Sequence, residues 1–280
     1  MSNQFNSQPN QKTEFDQDRV ERERVFHNDW ASSVKINELM VEPAFESPTA
    51  LENQYILQEI GDFKSKKILD LGCGAGESSV YFAVRGAEVH ACDISENLLQ
   101  LAGQLAKSRG VAIQTYVCPA ENLPFADNTF DLVYGNGVLH HVNLDPSMKE
   151  VARVMKPGAK GYFIEPLPYN PIINIYRWVA RDVRTVDEKP LHFSQINSLR
   201  KSFSDLTHRE FWLFSLYIFM HFFLVRRWHP SKVRYWKKVI EVGPEFSSMI
   251  GTLKKWDHRM MRIFPFLGFL CWNTVIKVTK

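Results

Sequence analysis

A short apolar run that leads directly into a glycine-rich turn constrains this sequence more than any other feature. Residues 68–77 read ILDLGCGAGE, with Gly72, Gly74 and Gly76 at alternate positions after the run. Because glycine has no Cβ, the chain can turn sharply here and a ligand can approach its backbone N–H groups closely. The helix expected after the turn directs its N-terminal dipole at the same place. The stretch therefore predicts a nucleotide-binding loop between a strand and a helix.

Apolar runs and one-sided helical stretches alternate downstream of residue 66. The runs KILDL, EVHACD, IQTYVC, FDLVYG and GYFIEP predict five strands, and 78–84, 96–108 and 146–155 predict the intervening helices. Further along, 194–203 predicts a helix, and 208–214 and 272–278 predict two more strands. Strands that alternate with helices at this spacing are typical of an α/β fold with a parallel sheet covered on both faces.

The ends of the chain differ from this central part in composition. Residues 1–12 are polar and are expected to form a disordered tail. Residues 13–65 are expected to form an N-terminal helical lid, in which Phe26, His27 and Trp30 either contact a ligand or pack on the core. The main domain is assigned to 66–280, with substrate-binding or cap insertions within 166–265.

The residues after the glycines identify the nucleotide. A dinucleotide fingerprint would need a third glycine at position 77, where Glu77 stands instead. From Asp70 the sequence reads DLGCGAGE, and Asp93 closes the next strand 23 residues later, where a carboxylate can accept both ribose hydroxyls. This pattern resembles motif I and its partner acid in class I S-adenosylmethionine-dependent methyltransferases.

The resemblance covers roughly residues 66–166. AENLPF at 120–125 resembles the adenine-side loop of that family, NGVLHHV at 136–142 the loop after the fourth strand, and MKPGAKGYFIEP the final motif. Pro119 is a departure, because the family often has an acid there that bonds the adenine amino group. The adenine contact is therefore expected from the Ala120 backbone or from Glu121.

The resemblance implies a Rossmann-like, seven-stranded, mostly parallel sheet with helices on both faces, N-terminal lid helices and a helical hydrophobic insertion near the C-terminus. It implies S-adenosylmethionine as the cofactor. The residues that it implies for cofactor binding are Asp70, Gly72, Gly74, Gly76, Asp93, Ile94, Ala120, Glu121 and Asn136.

Methyl transfer needs little chemistry from the protein beyond alignment, and a base is required only if the acceptor keeps its proton. His140 and His141 follow the fourth strand, where the transferable methyl is expected, and Glu165 ends the fifth. His192 follows DEKPL in a loop that could fold over the pocket. All four are candidate catalytic residues, and a structural role is the alternative for each.

The cysteines and the N-terminus bear on location. Cys73, Cys92, Cys118 and Cys271 are far apart and form no CxxC pair, so neither a metal site nor a disulfide framework is predicted. The first residues have no apolar core of the kind that signal peptides contain. A cytoplasmic location is therefore expected.

The back of the chain is basic and aromatic. Residues 1–199 hold 19 Lys and Arg against 26 Asp and Glu, whereas residues 200–280 hold 15 against 5. The apolar run 211–225 would span about 22 Å as a helix, short of the roughly 30 Å hydrocarbon core of a membrane. A buried strand and helix, a hydrophobic pocket or an interfacial element remain as interpretations of this run. The mixed cations and aromatics at 226–238 and 254–262 suit either an anionic membrane surface or a nucleic-acid backbone.

The predicted function is methyl transfer to a small, hydrophobic acceptor such as a quinone, isoprenoid, lipid or specialised metabolite, with peripheral membrane contact as a further expectation. The segments EPLPYNPIINIYRWVARDVRTVDEKPL and WDHRMMRIFPFLGFLCWNTVIKVTK also resemble bacterial small-molecule methyltransferases. A nucleic-acid substrate is disfavoured, because GNGVLHHV stands where amino-methylating nucleic-acid enzymes carry an Asn/Asp-Pro-Pro-aromatic sequence. The alternatives are a nucleic-acid or protein methyltransferase that uses the basic half, and a non-catalytic cofactor-binding protein. The acceptor atom and the oligomeric state do not follow from the sequence.

Overall fold

The computed structural model describes residues 11–179, 185 and 187–280, with side chains from residue 17 onward. Residues 1–10, most of the expected tail, lie outside the described residues. Seven strands form one sheet: β1 Lys67–Leu71, β2 Glu88–Asp93, β3 Gln114–Val117, β4 Phe130–Asn136, β5 Met155–Pro166, β6 Asp205–Phe211 and β7 Asn273–Thr279. The described helices are α1 Gln11–Ala31, α2 Pro43–Glu46, α3 Leu51–Ile60, α4 Glu77–Val84, α5 Glu96–Ser108, α6 Leu144–Val154, α7 Pro171–Val179, α8 Phe193–Ser198, α9 Tyr217–Leu224, α10 Tyr235–Glu241 and α11 Ser247–Ile263.

The strand order is β3-β2-β1-β4-β5-β7-β6, and β7 runs against both of its neighbours. The chain winds outward from β1 in one direction through β2 and β3, and in the other direction from β4. This reversal leaves a crevice between the carboxyl ends of β1 and β4, where ligands bind in such sheets. The predicted fold class, a seven-stranded and mostly parallel α/β sheet with surrounding helices, is confirmed.

Burial on both faces holds the central strands in place. Four of the five residues of β1 are buried, as expected for a parallel strand covered by helices on each side. Helix α5 shows how a covering helix is specified: the Ser95 hydroxyl accepts a hydrogen bond from the Leu98 N–H and so caps the first turn. Its apolar residues then recur on one face and are buried against the sheet.

Two segments differ in detail from the predicted pattern. The strand predicted over 208–214 begins earlier, at Asp205, and ends at Phe211, because Trp212 takes a positive φ of 70° that breaks the extended chain. The first helix, α1, begins at Gln11, inside the range expected for the tail, and continues without a break to Ala31. Within the described chain, none of the helices combines the length and apolar character needed to cross a bilayer.

The glycine turn after β1 needs its glycines for two different reasons. Gly72, Gly74 and Gly76 all have positive φ, a conformation that residues with a side chain adopt at a cost. A Cβ on Gly76 would lie 2.6 Å from the Ala102 Cβ, because α4 begins against α5 at this point. A Cβ on Gly74 would meet no atom within 4 Å. The loop is thus tightly packed against α5 at Gly76 and open at Gly74.

This difference predicts unequal costs for two matched substitutions. Gly76→Ala adds overpacking against α5 to the backbone strain, so it should lower the free energy of unfolding by roughly 2–5 kcal/mol. Gly74→Ala adds the strain alone and should cost about 1–2 kcal/mol. Urea unfolding followed by circular dichroism measures both, and equal losses would contradict the packing described for Gly76.

Candidate cofactor and acceptor site

A cavity of about 500 Å³ opens at the carboxyl ends of β1, β2 and β4. The glycine turn and the ends of β2 and β4 form its floor. Helix α1 covers it from the N-terminal part of the chain, and residues from α7 and α10 close it on the other side. Polar groups of the strand ends face aromatic side chains of the covering helices across this space.

Asp93 is the central polar group on the floor. Its Oδ2 accepts the Gly74 N–H at 2.9 Å, and its Oδ1 accepts the Ser95 N–H at 2.9 Å. Burial raises the pKa of Asp93, and these two backbone bonds oppose that rise. The carboxylate is therefore held in one orientation at the cavity, and each oxygen has a further lone pair that can accept a hydroxyl donor of a ligand.

Most of the predicted cofactor residues come together around this carboxylate. Those that line the cavity are Gly72, Gly74, Asp93, Ile94, Ala120, Glu121 and Asn136. Asp70 and Gly76 lie behind the turn instead. Asp70 is buried and accepts a hydrogen bond from the Ser79 hydroxyl at 2.5 Å, and burial raises its pKa to about 7. Its contact joins β1 to α4 and shapes the turn from the rear.

Glu121, the predicted adenine contact, is already engaged with the covering helix. Its carboxylate forms an ion pair with Arg19 of α1 and accepts the Asn143 N–H at 2.8 Å. The Arg19 guanidinium also donates to the His141 carbonyl. One arginine thus connects α1 to the loop after β3 and to the loop after β4, on both sides of the cavity.

Glu165 at the end of β5 organises the loop after β4. Its buried carboxylate accepts the backbone N–H groups of Val138 (3.0 Å), Leu139 (2.7 Å) and His140 (3.2 Å). It also receives His140 Nδ1 at 2.6 Å. With these four contacts Glu165 lies well placed to position the loop.

His140 is held as an imidazolium. Burial alone would lower its pKa, but Glu165 and Glu188, whose Oε1 lies 3.5 Å from His140 Nε2, raise it to about 9. A histidine that already carries its proton at neutral pH cannot accept another one. His140 therefore serves as a buried cation between two carboxylates.

His141, one residue further, has the opposite protonation. Burial and the nearby His140 cation lower its pKa, although Glu23 opposes them, so its imidazole is neutral at pH 7. Its Nδ1 lies 3.2 Å from Oε2 of Glu23, a carboxylate of α1 whose own pKa is held below its usual range by His141 and His27 despite burial. The Thr185 hydroxyl lies 3.5 Å from the same Nδ1. The negative charge of Glu23 at ion-pair distance favours a proton on Nδ1, and a proton there leaves Nε2 as an acceptor.

Two groups of potential metal-ligand atoms lie near this loop. The first is Glu23, His27 and His141, and the second is His140, His141 and Glu188; within each group the atoms lie within 4.8 Å of one another. Both groups share His141 and contain the ion pairs described above, which account for these short distances without an ion.

His192 does not join the other predicted catalytic residues. It is exposed at the start of α8, where its backbone N–H donates to Gln195 Oε1 at 2.9 Å, and its ring lies against Tyr169. It does not line the cavity. Of the four candidates, His140, His141 and Glu165 meet at the cavity, and His192 stands outside it.

The acceptor side of the cavity is aromatic. Ile173 and Tyr176 of α7, Trp212 after β6 and Trp272 before β7 line this wall. Glu52 of α3 also lines the cavity, accepts the indole N–H of Trp212 at 2.7 Å, and has a pKa raised by burial. A mainly apolar wall with a few fixed polar groups is the usual form of a small-molecule pocket.

The closure of this wall depends on residues that the sequence did not single out. Arg234 of the segment before α10 lies over the Trp30 ring of α1, with its Cζ 5.1 Å from the ring centroid. Glu23 and Glu188, which set the charge of the two histidines, were also missed. Glu23 and His27 do stand four residues apart on α1, a spacing that places them on one helical face and could have signalled their partnership.

Known proteins share this fold and loop. Residues 69–163 match the family model described as a methyltransferase domain. The chain is 26% identical over 168 residues to sterol 24-C-methyltransferase ERG6B of Gibberella zeae, across 59% of this chain and 41% of that protein. It is 37% identical over 113 residues to demethylmenaquinone methyltransferase of Chlorobaculum parvum, across 39% and 45%. The matched parts thus span less than half of these relatives' lengths.

Among solved structures, geranyl diphosphate C-methyltransferase of Streptomyces coelicolor A3(2) has the same fold, with a TM-score of 0.53. The two are 16% identical, and the match covers 82% of this chain and 78% of that one. Together with the family match, the fold and the strand-end motifs define residues 69–163 as a class I S-adenosylmethionine-dependent methyltransferase domain. The predicted family and its cofactor, S-adenosylmethionine, are confirmed.

The charge on His140 predicts a pH-dependent contribution to stability. A pKa raised from 6.5 to about 9 on folding corresponds to roughly 3 kcal/mol, fully present below pH 6.5 and lost as the pH rises through 9. The unfolding free energy of wild type minus that of His140→Gln should therefore fall by roughly 2–3 kcal/mol between about pH 6 and about pH 9.5. Chemical denaturation at both pH values measures this difference, and a constant difference would rule out an imidazolium at this position.

Proposed function

We propose that this protein transfers the methyl group of S-adenosylmethionine to a small, hydrophobic acceptor of the quinone, isoprenoid, lipid or specialised-metabolite type. The observation that carries this proposal is the cavity, in which a cofactor floor and a neutral, carboxylate-oriented histidine face an aromatic wall. The names of the relatives, which refer to a sterol and to a demethylmenaquinone, support acceptors of this class.

The residues on the floor suit the cofactor. The open space in front of Gly74 admits a ligand against the turn, and the buried Asp93 carboxylate can accept both ribose hydroxyls. Ala120 and Glu121 stand beside the adenine position, and Asn136 begins the loop toward the acceptor. When bound, S-adenosylmethionine supplies an electrophilic methyl group, so the protein itself needs to align the acceptor and exclude water.

Asp93 provides the direct test of cofactor placement. Asp93→Ala removes the hydroxyl acceptor and releases the Gly74 N–H, so the Kd for S-adenosylhomocysteine should rise by about a hundredfold or more. Isothermal titration calorimetry measures it, with Asp127→Ala, an exposed acid outside the cavity, as the matched control. Unchanged affinity in Asp93→Ala would place the ribose elsewhere.

We assign the general base, for acceptors that keep their proton, to His141. Its neutral imidazole accepts the acceptor's proton at Nε2, and the negative charge of Glu23, 3.2 Å from Nδ1, stabilises the resulting imidazolium. His140 is unsuited to this role because its pKa of about 9 keeps it protonated. It acts with Glu165 as a positioning pair for the loop that carries His141.

Substitution of the histidine pair separates these roles. His141→Ala should lower kcat by about a hundredfold or more with little change in cofactor Kd. Glu23→Gln keeps the shape of the side chain beside His141, so it should lower kcat less and move the pH–rate profile. Release of S-adenosylhomocysteine with a total lipid extract as acceptor gives the rate, and His229→Ala, an exposed histidine outside the cavity, is the control.

Two outcomes would contradict the assignment of the base. A wild-type rate in His141→Ala would return this residue to a structural role. A rate that EDTA abolishes would indicate that the Glu and His atoms near the loop bind a metal ion instead.

The covering segments complete the proposal. Helix α1 within 13–65 acts as a lid, because Arg19, Glu23 and Trp30 each contact a different part of the cavity rim. The main domain of 66–280 includes, within 166–265, the insertions that cap the acceptor side of the cavity. Methylation of nucleic acid or protein by the basic half is the competing function, and transfer of label to either macromolecule in place of the lipid fraction would favour it.

A further inference from the structure

Helix α9 carries apolar side chains on both faces, but only one face packs against the core. Ile218, Phe219 and Phe222 lie in the core. The opposite side and the end of the helix leave five large apolar side chains exposed: Tyr217, Met220, Phe223, Leu224 and Val225. A soluble monomer rarely exposes a contiguous group of this kind unless it binds something.

Two neighbouring elements expose similar side chains. Helix α7 exposes Ile172, Ile175 and Trp178, which are three residues apart and therefore lie on one face. The end of α11 and the turn after it expose a further group: Trp256, Ile263, Phe264, Phe266, Phe269 and Leu270.

Direct contacts place these three elements beside one another. Tyr176 of α7 lies 6.2 Å from Phe219 of α9, between ring centroids. Phe214, just before α9, lies 6.4 Å from Trp256 of α11. The Asn170 side chain at the start of α7 donates to the Leu270 carbonyl. The exposed groups of α7, α9 and residues 256–270 therefore lie on neighbouring elements, and we call them together the apolar surface.

The part of the sequence that carries α9 and α11 is rich in cations. Residues 211–280 contain twelve Lys and Arg against three Asp and Glu. Of the three acids, Asp257 is buried and bonds the backbone before α9, and Glu245 pairs with Arg226. Lys255, Arg259 and Arg262 are exposed on α11 between the exposed apolar residues. Aromatic and aliphatic side chains interleaved with an excess of cations complement a bilayer with anionic headgroups.

We propose that the apolar surface docks the protein on an anionic lipid bilayer, with α9 lying in the interface and the α11 cations among the headgroups. The eight residues of α9 are too few to span the hydrocarbon core, so the contact is peripheral. The exposed Trp and Tyr side chains suit the headgroup level of a bilayer, because the apolar part of each ring can face the acyl chains while its N–H or O–H group stays hydrated.

Helix α7 joins this surface to the cavity. Ile173 and Tyr176 of α7 line the cavity wall, whereas Ile172 and Ile175 belong to the apolar surface. Only helix α7 would thus separate an acceptor dissolved in the bilayer from the aromatic wall of the cavity. This part of the inference rests on the proposed function and narrows its acceptor to a membrane-resident lipid, while the docking itself stands independently of catalysis.

Flotation of the full chain with vesicles tests the docking without any acceptor. The protein should float with phosphatidylcholine vesicles that contain phosphatidylglycerol at about a 2:1 ratio, and about tenfold less with phosphatidylcholine alone. Phe223→Glu and Phe266→Glu should each lower partitioning by about tenfold or more, since a charge enters the apolar contact. Arg259→Gln with Arg262→Gln should weaken binding to the anionic vesicles alone and reduce its salt sensitivity.

Val84→Glu is the matched control, because Val84 is also an exposed apolar residue but lies on α4, outside the apolar surface. It should float as the wild type does. Calorimetry with S-adenosylhomocysteine and circular dichroism on every variant verify that the fold is intact.

Three results would overturn the docking. The first is failure of the wild type to float with anionic vesicles, and the second is flotation that the four substitutions leave unchanged. The third is concentration-dependent dimerisation, abolished by Phe223→Glu in sedimentation, which would show that a second copy covers the surface. Flotation without methyl transfer to lipids would retain the docking and reject the proposed acceptor, so the two proposals fail separately.

Discussion

The buried carboxylate of Glu165 is the interaction on which the site most depends. It accepts three consecutive backbone N–H groups of the loop after β4 and the Nδ1–H of His140. A buried carboxylate requires such partners, because an unpaired charge in the interior costs several kcal/mol. The loop after β4 supplies these partners to Glu165. The same hydrogen bonds fix the path of the loop across the end of the sheet. His141 then faces Glu23 of α1 only because the preceding residue is held in place.

The second constraint is the division of charge between two adjacent histidines. His140 lies between Glu165 and Glu188 and is cationic, while His141 is close to that cation and remains neutral. The positive charge of His140, close to the cofactor floor, thus has a structural role. The lone pair of the neighbouring His141 remains available to accept a proton. Glu23 belongs to the covering helix α1. The protonation state that we propose for His141 in catalysis therefore also depends on α1 lying over the cavity.

The residues singled out from the sequence lie mainly on the floor of the cavity and seldom on its walls, for a physical reason. Asp93, Gly74 and Ala120 are set by strand ends and turns, whose conformation depends on residues close by in the chain. Glu23 and Glu188 reach the histidines from segments 118 residues before and 47 residues after His141, through packing that no local pattern encodes. The sequence also cannot distinguish the roles of the adjacent residues His140 and His141, because only their surroundings in the fold give them opposite pKa shifts. The position of His192 outside the cavity has the same origin.

The acceptor that we propose for the methyl group is a membrane-derived, hydrophobic molecule. Incubation of the protein with S-adenosylmethionine carrying a deuterated methyl group and a total lipid extract, followed by mass spectrometry of the organic phase, tests it most directly. We expect a deuteromethylated lipid that is formed by the wild type and is greatly reduced with His141→Ala. Label found only in protein or nucleic acid, or no labelled product despite tight cofactor binding, would contradict it.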